Sequence, residues 1–458
     1  MKKKRVQSSA AALLLTTILA AGSLNISVYA SDGEKTAAAQ GAVLNICTST
    51  ANLKQRVIDY VSGYEETDDT HGIITAYDGT QTQVVWRIIE NTDLYQNYLD
   101  ENLYDNLNML PNERIDLFMA DSSYLKKYTG ADADLAIPVR ELGITQDEIA
   151  ERFAYTQAVG SDEDGNVRAL SYKANAAVMV YRRDIASEVF GTDEREVVQE
   201  HFKDLASMKE AAAALESKGY QLTATADDLY RLYEASRSSG WVQDGKLVID
   251  PVLETWVQDS RAMIDRGMLS PNEIYSTDWN TGLYTDGNVF AYFLPVSMFN
   301  SRMWTASGTS VSSKSGWAAT NGPAAFAWGD SCYLLAARGS DNLALDALLM
   351  RTLACDRETL SAMHDNNNMD VNSVSIVSAL AASEDAGKKS LGGQNPYNVV
   401  LENAQAVSSS LMGPYDAVIQ KLYLNYMRYY LRDQLTYEEA VKNFRTAVHY
   451  QLKGLKVN

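Results

Sequence analysis

Apolar and polar positions in the first third of the chain alternate between two rhythms. Val43 to Cys47 is a short continuous apolar run of the kind that forms a buried strand. After the polar stretch Thr48 to Asn52, Leu53, Val57, Ile58 and Val61 fall at helical spacing. Val84 to Ile89 is again rich in strand formers, and Asn91-Thr92-Asp93 caps a helix bearing Leu94, Tyr95, Tyr98 and Leu99. A third strand is predicted where Ile115, Leu117 and Met119 alternate with Arg114, Asp116 and Phe118, and it ends at a helix start, Asp121-Ser122-Ser123. Three strand–loop–helix units in succession predict a mainly parallel sheet wrapped by helices.

The pattern then changes. Val178 to Tyr181 reads as another strand, residues 184–275 as mostly helical, and Val242 to Val248 as a short hairpin within them. Val289 to Leu294 forms a strand stopped by Pro295, residues 305–315 a Ser/Thr/Gly-rich loop, Tyr333 to Ala337 a strand and Leu343 to Leu353 a helix. Asp162 to Asn166 lacks the full spacing of a calcium loop and reads as an Asp-Gly turn. Tyr423, Tyr426, Met427, Tyr430 and Leu431 form the stripe of a helix packed on a lobe. Trp241 and Trp256 are expected inside the core of the second lobe.

Composition narrows the function classes. Residues 1–30 read as a secretion leader: Lys2 to Arg5 are basic, Ala10 to Ala21 are apolar, and Val28-Tyr29-Ala30 offers a cleavage site. The apolar run is too short for a bilayer span of roughly 20 residues. Gly22 stands where a lipoprotein cysteine would follow Leu19-Ala20-Ala21, so the expected protein is secreted and held at the cell surface by a partner rather than by a lipid. Residues 31–42 read as a flexible leash. Losing the leader's four positive charges takes the net charge from −19 to −23, which disfavours nucleic acid and anionic membrane surfaces as partners. Cys47, Cys332 and Cys355 are widely spaced; a Cys332–Cys355 bridge and unpaired buried thiols are both open readings. His71, His201, His364 and His449 are scattered and suggest no metal site, and no nucleophile elbow, P-loop or H-E-x-x-H occurs. No cofactor and no catalysis are expected.

One stretch carries a family likeness. Leu335 to Leu345 followed by Met350 to Asp356 resembles extracellular solute-binding proteins of carbohydrate ABC importers, of the maltose-binding type. Tyr181 to Ala186 with Val189 to Asp193, Asp116-Leu117-Phe118 before Asp121, Leu391 to Asn395 and Asp286 to Phe290 match in the same order, from about residue 43 to the C-terminus. The resemblance implies an α/β, two-lobed periplasmic-binding-protein-like fold of type II, each lobe a mixed sheet flanked by helices. It places lobe I at 43–175 and 296–330 and lobe II at 176–295 and 331–458. Three hinge crossovers are expected near Lys173–Ala177, Ala291–Val296 and Trp328–Tyr333. The implied function is capture of a carbohydrate between the lobes and delivery to an ABC permease, without insertion of the mature chain into the membrane. A secreted glycoside hydrolase, with two carboxylates about 5 to 9.5 Å apart, and a ligand-sensing adaptor for a membrane receptor are the rival readings.

Sugar recognition needs flat rings for C–H faces and polar groups for hydroxyls. Asp121 ends a strand and matches an acidic sugar contact of the family; its other role is to cap the next helix. Trp328 lies in a segment similar to a tryptophan-rich cleft segment of the family and is a candidate stacking platform or a core ring. Asp330 follows it as a candidate hydroxyl acceptor. Trp279, Tyr172 and Asn395 complete the candidates, whereas Arg182 is expected in an ion pair away from ligand. Relatives usually carry an aromatic where this chain has Thr48-Ser49-Thr50, and tryptophans where it has Phe326 and Cys332. The resemblance therefore implies a different or smaller glycan, or a non-sugar solute.

Overall fold

The computed structural model describes residues 41–457 apart from Tyr77, 284–286, 300–315, Asp330 and 368–369. The leader, most of the leash, the loop 305–315 and the candidate Asp330 thus lie outside the described residues.

The apolar runs become strands where expected. β1 (Val43–Thr48) is followed by a helix, Ala51–Tyr60, capped by the Thr50 side chain. β2 (Tyr64–Glu66) and β3 (His71–Thr75) then form an antiparallel edge that leads into β4 (Gln81–Ile88). The helix Thr92–Leu103 begins with the Asn91 side chain accepting from the Leu94 amide, the cap read from sequence. β5 (Leu117–Asp121) lies parallel to β1, and β6 (Leu170–Ser171) closes the far edge. Leu117 to Ala120 are all fully buried, so the predicted two-faced alternation is overridden. β5 is central in its sheet, with helices covering both faces.

The chain then builds a second sheet. β7 (Ala177–Arg182) enters it, and the hairpin β8 (Val242–Gln243) and β9 (Lys246–Leu247) stands apart. β10 (Ala291–Pro295) and β11 (Trp317–Thr320) flank β7, both antiparallel to it. β12 (Ser331–Ala336) returns to the first sheet, antiparallel to β5. The first sheet has the order β2-β3-β4-β1-β5-β12-β6 and the second β10-β7-β11. Two buried apolar clusters accompany them. Trp241 and Trp256 pack in the second beside Tyr423, ring centroids 5.2 and 6.0 Å away.

This topology corrects part of the expected partition. Trp317 to Ala319 belong to the second core although 296–330 was assigned to lobe I, and Leu334 to Ala337 with Leu349 and Met350 belong to the first core although 331–458 was assigned to lobe II. β11 pairs with β7, whereas β12 pairs with β5 and β6. The expected crossover at Ala291–Val296 is instead occupied by β10, which pairs with β7 at the edge of the second sheet. The other two crossovers are observed, and the third lies at Asp370–Ser373. The crossing segments run side by side. Ala177 N donates to Phe326 O (2.9 Å) and Trp328 N to Asn175 O (2.8 Å), while Ala174 N donates to Asp370 O and Asn372 N to Tyr172 O (both 3.0 Å). Asn175 adopts a left-handed φ of 56°, a conformation asparagine tolerates better than most residues.

Two smaller readings also resolve. Asp162 Oδ1 accepts from the amides of Asn166 (2.7 Å) and Asp164 (3.1 Å), and Oδ2 from Arg168 Nε (2.9 Å), which makes the Asp162–Asn166 segment a turn closed by its own carboxylate. Neither Cys332 nor Cys355 is in a disulfide, which removes the Cys332–Cys355 bridge. Burial pushes the Cys47 thiol up to about 12 and the Cys355 thiol up to about 11.

Buried carboxylates make stability pH-dependent. Burial pushes Asp116 and Asp228 up to about 6, and Asp370, at the third crossover, up to about 7. Each is ordinarily near 3.9 in an unfolded chain, so the folded state holds the extra protons. Their stabilising contribution is complete below about pH 4 and is lost as pH rises through about 6 to 7. The urea midpoint should therefore be higher at pH 5 than at pH 7.5, and Asp370→Asn should shrink that difference, by roughly 1–3 kcal/mol.

Candidate functional site

A cavity of about 680 Å³ lies where residues of the two cores face each other. Pockets of this size hold small organic ligands and commonly form between domains. The first lobe contributes the carboxyl end of β5 and the turn after it, Asp121 to Tyr124, together with Val159 and Tyr333. The second contributes one face of the helix Ala226–Ala235, the crossover residues Ala325 to Ala327 and Gly329, the loop Val407 to Met412 and the helix Asp416–Leu431. Ligand contacts at the carboxyl end of a strand are the usual outcome of an open α/β sheet.

Local chemistry explains these positions. Asp121 Oδ1 accepts from Ser123 N (2.8 Å) and Ser123 Oγ (2.6 Å), so the carboxylate caps the turn that presents Ser122, Ser123 and Tyr124. Asp121 thus takes the capping role considered for it and also lines the cavity. Burial, with Asp93 and Asp121 nearby, raises the Tyr124 hydroxyl above its ordinary range and keeps it a neutral donor. On the opposite wall the helix Ala226–Ala235 starts with a capping box: Thr225 Oγ1 donates to Asp228 Oδ2 at 2.8 Å, and the Asp228 amide donates to Thr225 Oγ1.

Charge along the wall is mostly neutralised. Arg428 pairs with Asp227 (2.6 Å), Arg237 with Glu234 (2.8 Å) and more distantly with Asp416 (3.9 Å). Lys421 reaches across to Asp93 of the first lobe (2.6 Å). Asp416 is pushed up to about 7, chiefly by burial. The wall thus offers hydroxyls, amides and aromatic edges, with Arg231 as a further guanidinium. Among the described residues no group of acids, histidines or cysteines could hold a metal ion.

Several candidates fall elsewhere. Trp279 is fully buried in the second core, where its Nε1 donates to Asp228 Oδ1 (2.9 Å) and its ring meets Tyr292 edge-on at 5.3 Å. It anchors the helix Ala226–Ala235 from behind instead of facing the cavity. Tyr172 is buried in the first core, with Arg56 over its ring at 4.9 Å. Asn395 closes a loop: Nδ2 donates to Leu380 O (2.8 Å) and Ser383 O (2.9 Å), and Oδ1 accepts from Tyr397 N (2.9 Å). Trp328 stands just behind the wall, 5% exposed, between the lining residues Ala327 and Gly329. Arg231 lies over its ring, 4.1 Å from the centroid, so the guanidinium is what this site shows to the cavity. Arg182 pairs with Asp184 at 2.5 Å, as expected. Tyr124, Arg231 and Gln420 were not read from sequence. Arg231 and Gln420 sit on helices whose polar face could equally have met solvent.

No protein-family model matches the chain, and no curated protein matches it. Solved structures do match. A crystal structure of an extracellular solute-binding protein of family 1 is 16% identical, covering 89% of this chain and 99% of that one, with a TM-score of 0.71. The ABC transporter associated binding protein of B. animalis subsp. lactis, solved with beta-1,6-galactobiose, is 15% identical over 90% of this chain and 98% of its own, with a TM-score of 0.61. A cyclo/maltodextrin-binding protein complexed with maltotetraose is 14% identical over 93% and 100%, with a TM-score of 0.60. The chain has the two-lobed fold of these solute-binding proteins. Its neighbours in that fold are binding proteins.

Trp279→Ala should lower stability by about 3–5 kcal/mol, because it leaves a cavity and strips a donor from the buried Asp228 carboxylate. Trp279→Phe should recover the packing but not the hydrogen bond. Chemical denaturation of the two variants distinguishes this anchoring role from the cleft role read from sequence.

Proposed function

We propose that the chain is a non-catalytic solute-binding protein that captures a saccharide between its lobes and delivers it to an ABC importer outside the cytoplasm. The cavity built from both lobes at the end of β5 carries this reading, since two of the neighbours named above were solved with beta-1,6-galactobiose and with maltotetraose. Its wall of hydroxyls, tyrosines and paired charges suits a polyhydroxylated guest. The side-by-side crossovers are the hinge about which the lobes open and close on ligand. The leader-like residues 1–30 support action beyond the cytoplasm, and no helix among the described residues is long and apolar enough to cross a membrane.

Isothermal calorimetry against a saccharide panel should give one ligand per chain, and chromatography of the same mixtures should show no new products. Release of shorter sugars would replace this reading with a hydrolase. Asp121→Asn and Tyr124→Ala should each weaken binding about tenfold, or about 1.4 kcal/mol, with unchanged thermal midpoints. Undiminished affinity in both would move the binding site elsewhere.

A further inference from the structure

Among the described residues four basic side chains line the cavity, and three of them have an acidic partner. Arg237, Lys421 and Arg428 are engaged by Glu234, Asp93 and Asp227. Arg231 is the fourth. It is half-buried in the wall, and among the described residues no acid pairs with it. The acids one turn away on its own helix, at i−4 and i+3, would be its ordinary partners. Both are taken: Asp227 accepts from Arg428 Nε (3.2 Å) and Nη2 (2.6 Å), and Glu234 from Arg237.

The stacking on Trp328 adds a second constraint. With its centre 4.1 Å from the ring centroid, the guanidinium is held against an aromatic face, and the Trp328 backbone is itself tied to the hinge residue Asn175. A guanidinium fixed in this way keeps its donors in a planar fork that suits a carboxylate. An unpaired cation inside a cavity of an acidic chain also answers a physical problem. Distant surface charges are screened over about 10 Å in ordinary salt, while a charge within the cavity is screened much less.

We propose that Arg231 is the anchor for a carboxylate on the ligand, and that the captured saccharide is acidic, carrying a uronic or sialic acid. This rests on the saccharide-binding reading above and narrows it to a class. Trp328 then acts through Arg231, as a positioning residue.

The test uses the full mature chain, with trigalacturonate and sialyllactose each titrated beside a neutral counterpart, galactotriose and lactose. The two acids distinguish a uronic from a sialic source. At least one acid should bind about tenfold or more tighter than its neutral counterpart, and the preference should weaken as salt is raised. Arg231→Gln should erase that preference by weakening the acid far more than its neutral counterpart, and Arg231→Lys should retain part of it. An unchanged thermal midpoint of Arg231→Gln confirms folding, and Arg231→Lys carries the comparison if that variant is unstable. Equal binding of acidic and neutral sugars by the unaltered chain, or equal loss of both in Arg231→Gln, overturns the acidic class and leaves saccharide binding standing. Failure of every sugar to bind removes both.

Discussion

Backbone hydrogen bonding between the crossing segments is the constraint on which the rest of the molecule depends. A chain that passes between two cores exposes amides and carbonyls that neither core can satisfy, and an unpaired buried backbone group is costly. Here the crossings satisfy each other, through Trp328 to Asn175, Ala177 to Phe326, Ala174 to Asp370 and Asn372 to Tyr172. The Asn372 side chain extends the arrangement, donating to Ser171 O (2.9 Å) and Thr156 Oγ1 (2.9 Å) and accepting from Phe153 N (3.0 Å). This ribbon leaves the lobes joined at one side and the cavity between them.

The same economy of polar groups shapes the cavity wall. Asp228 is fully buried, yet it serves Thr225 and Trp279 together, which sets both the start and the back of the helix Ala226–Ala235. An adjoining face of that helix carries Asp227, Arg231 and Glu234 into the cavity. Asp227 is fastened to Arg428 of another helix and Glu234 to Arg237 just past its own, so among the described residues Arg231 faces inward without an acidic partner. Across the gap Asp121 uses its carboxylate to cap its own turn, which holds Tyr124 in place. Rigid walls of this kind reduce the ordering cost of binding.

Most single elements were legible before the structure, because each depends on neighbours in sequence. The apolar run at Val43–Thr48, the Asn91 cap, the helix Leu343–Ala354 and the stripe on Asp416–Leu431 need only local periodicity and capping chemistry. The strands β2 and β3 escaped notice because they are short, with Gly72 in β3 packed against the Tyr64 ring. Among the candidate site residues, Asp121 was legible for the same local reason: a strand end followed by Ser-Ser exposes an acceptor that caps. Trp279, Tyr172 and Asn395 looked equally suitable by residue type, and nothing in a linear sequence says which side of a wall a ring occupies.

By itself the sequence determined the α/β class, the capped helix starts, the acidic character of the chain and the kinship in order of its blocks with a two-lobed fold. Only the tertiary structure decided that β11 joins the second sheet and β12 the first, since strand partnership is a contest among distant edges. It alone decided that Trp279 faces a core carboxylate and that Arg231 covers Trp328. Those outcomes turn on which buried polar groups find partners, and partners brought from more than fifty residues away, as Asp228 is for Trp279, leave no mark on local pattern.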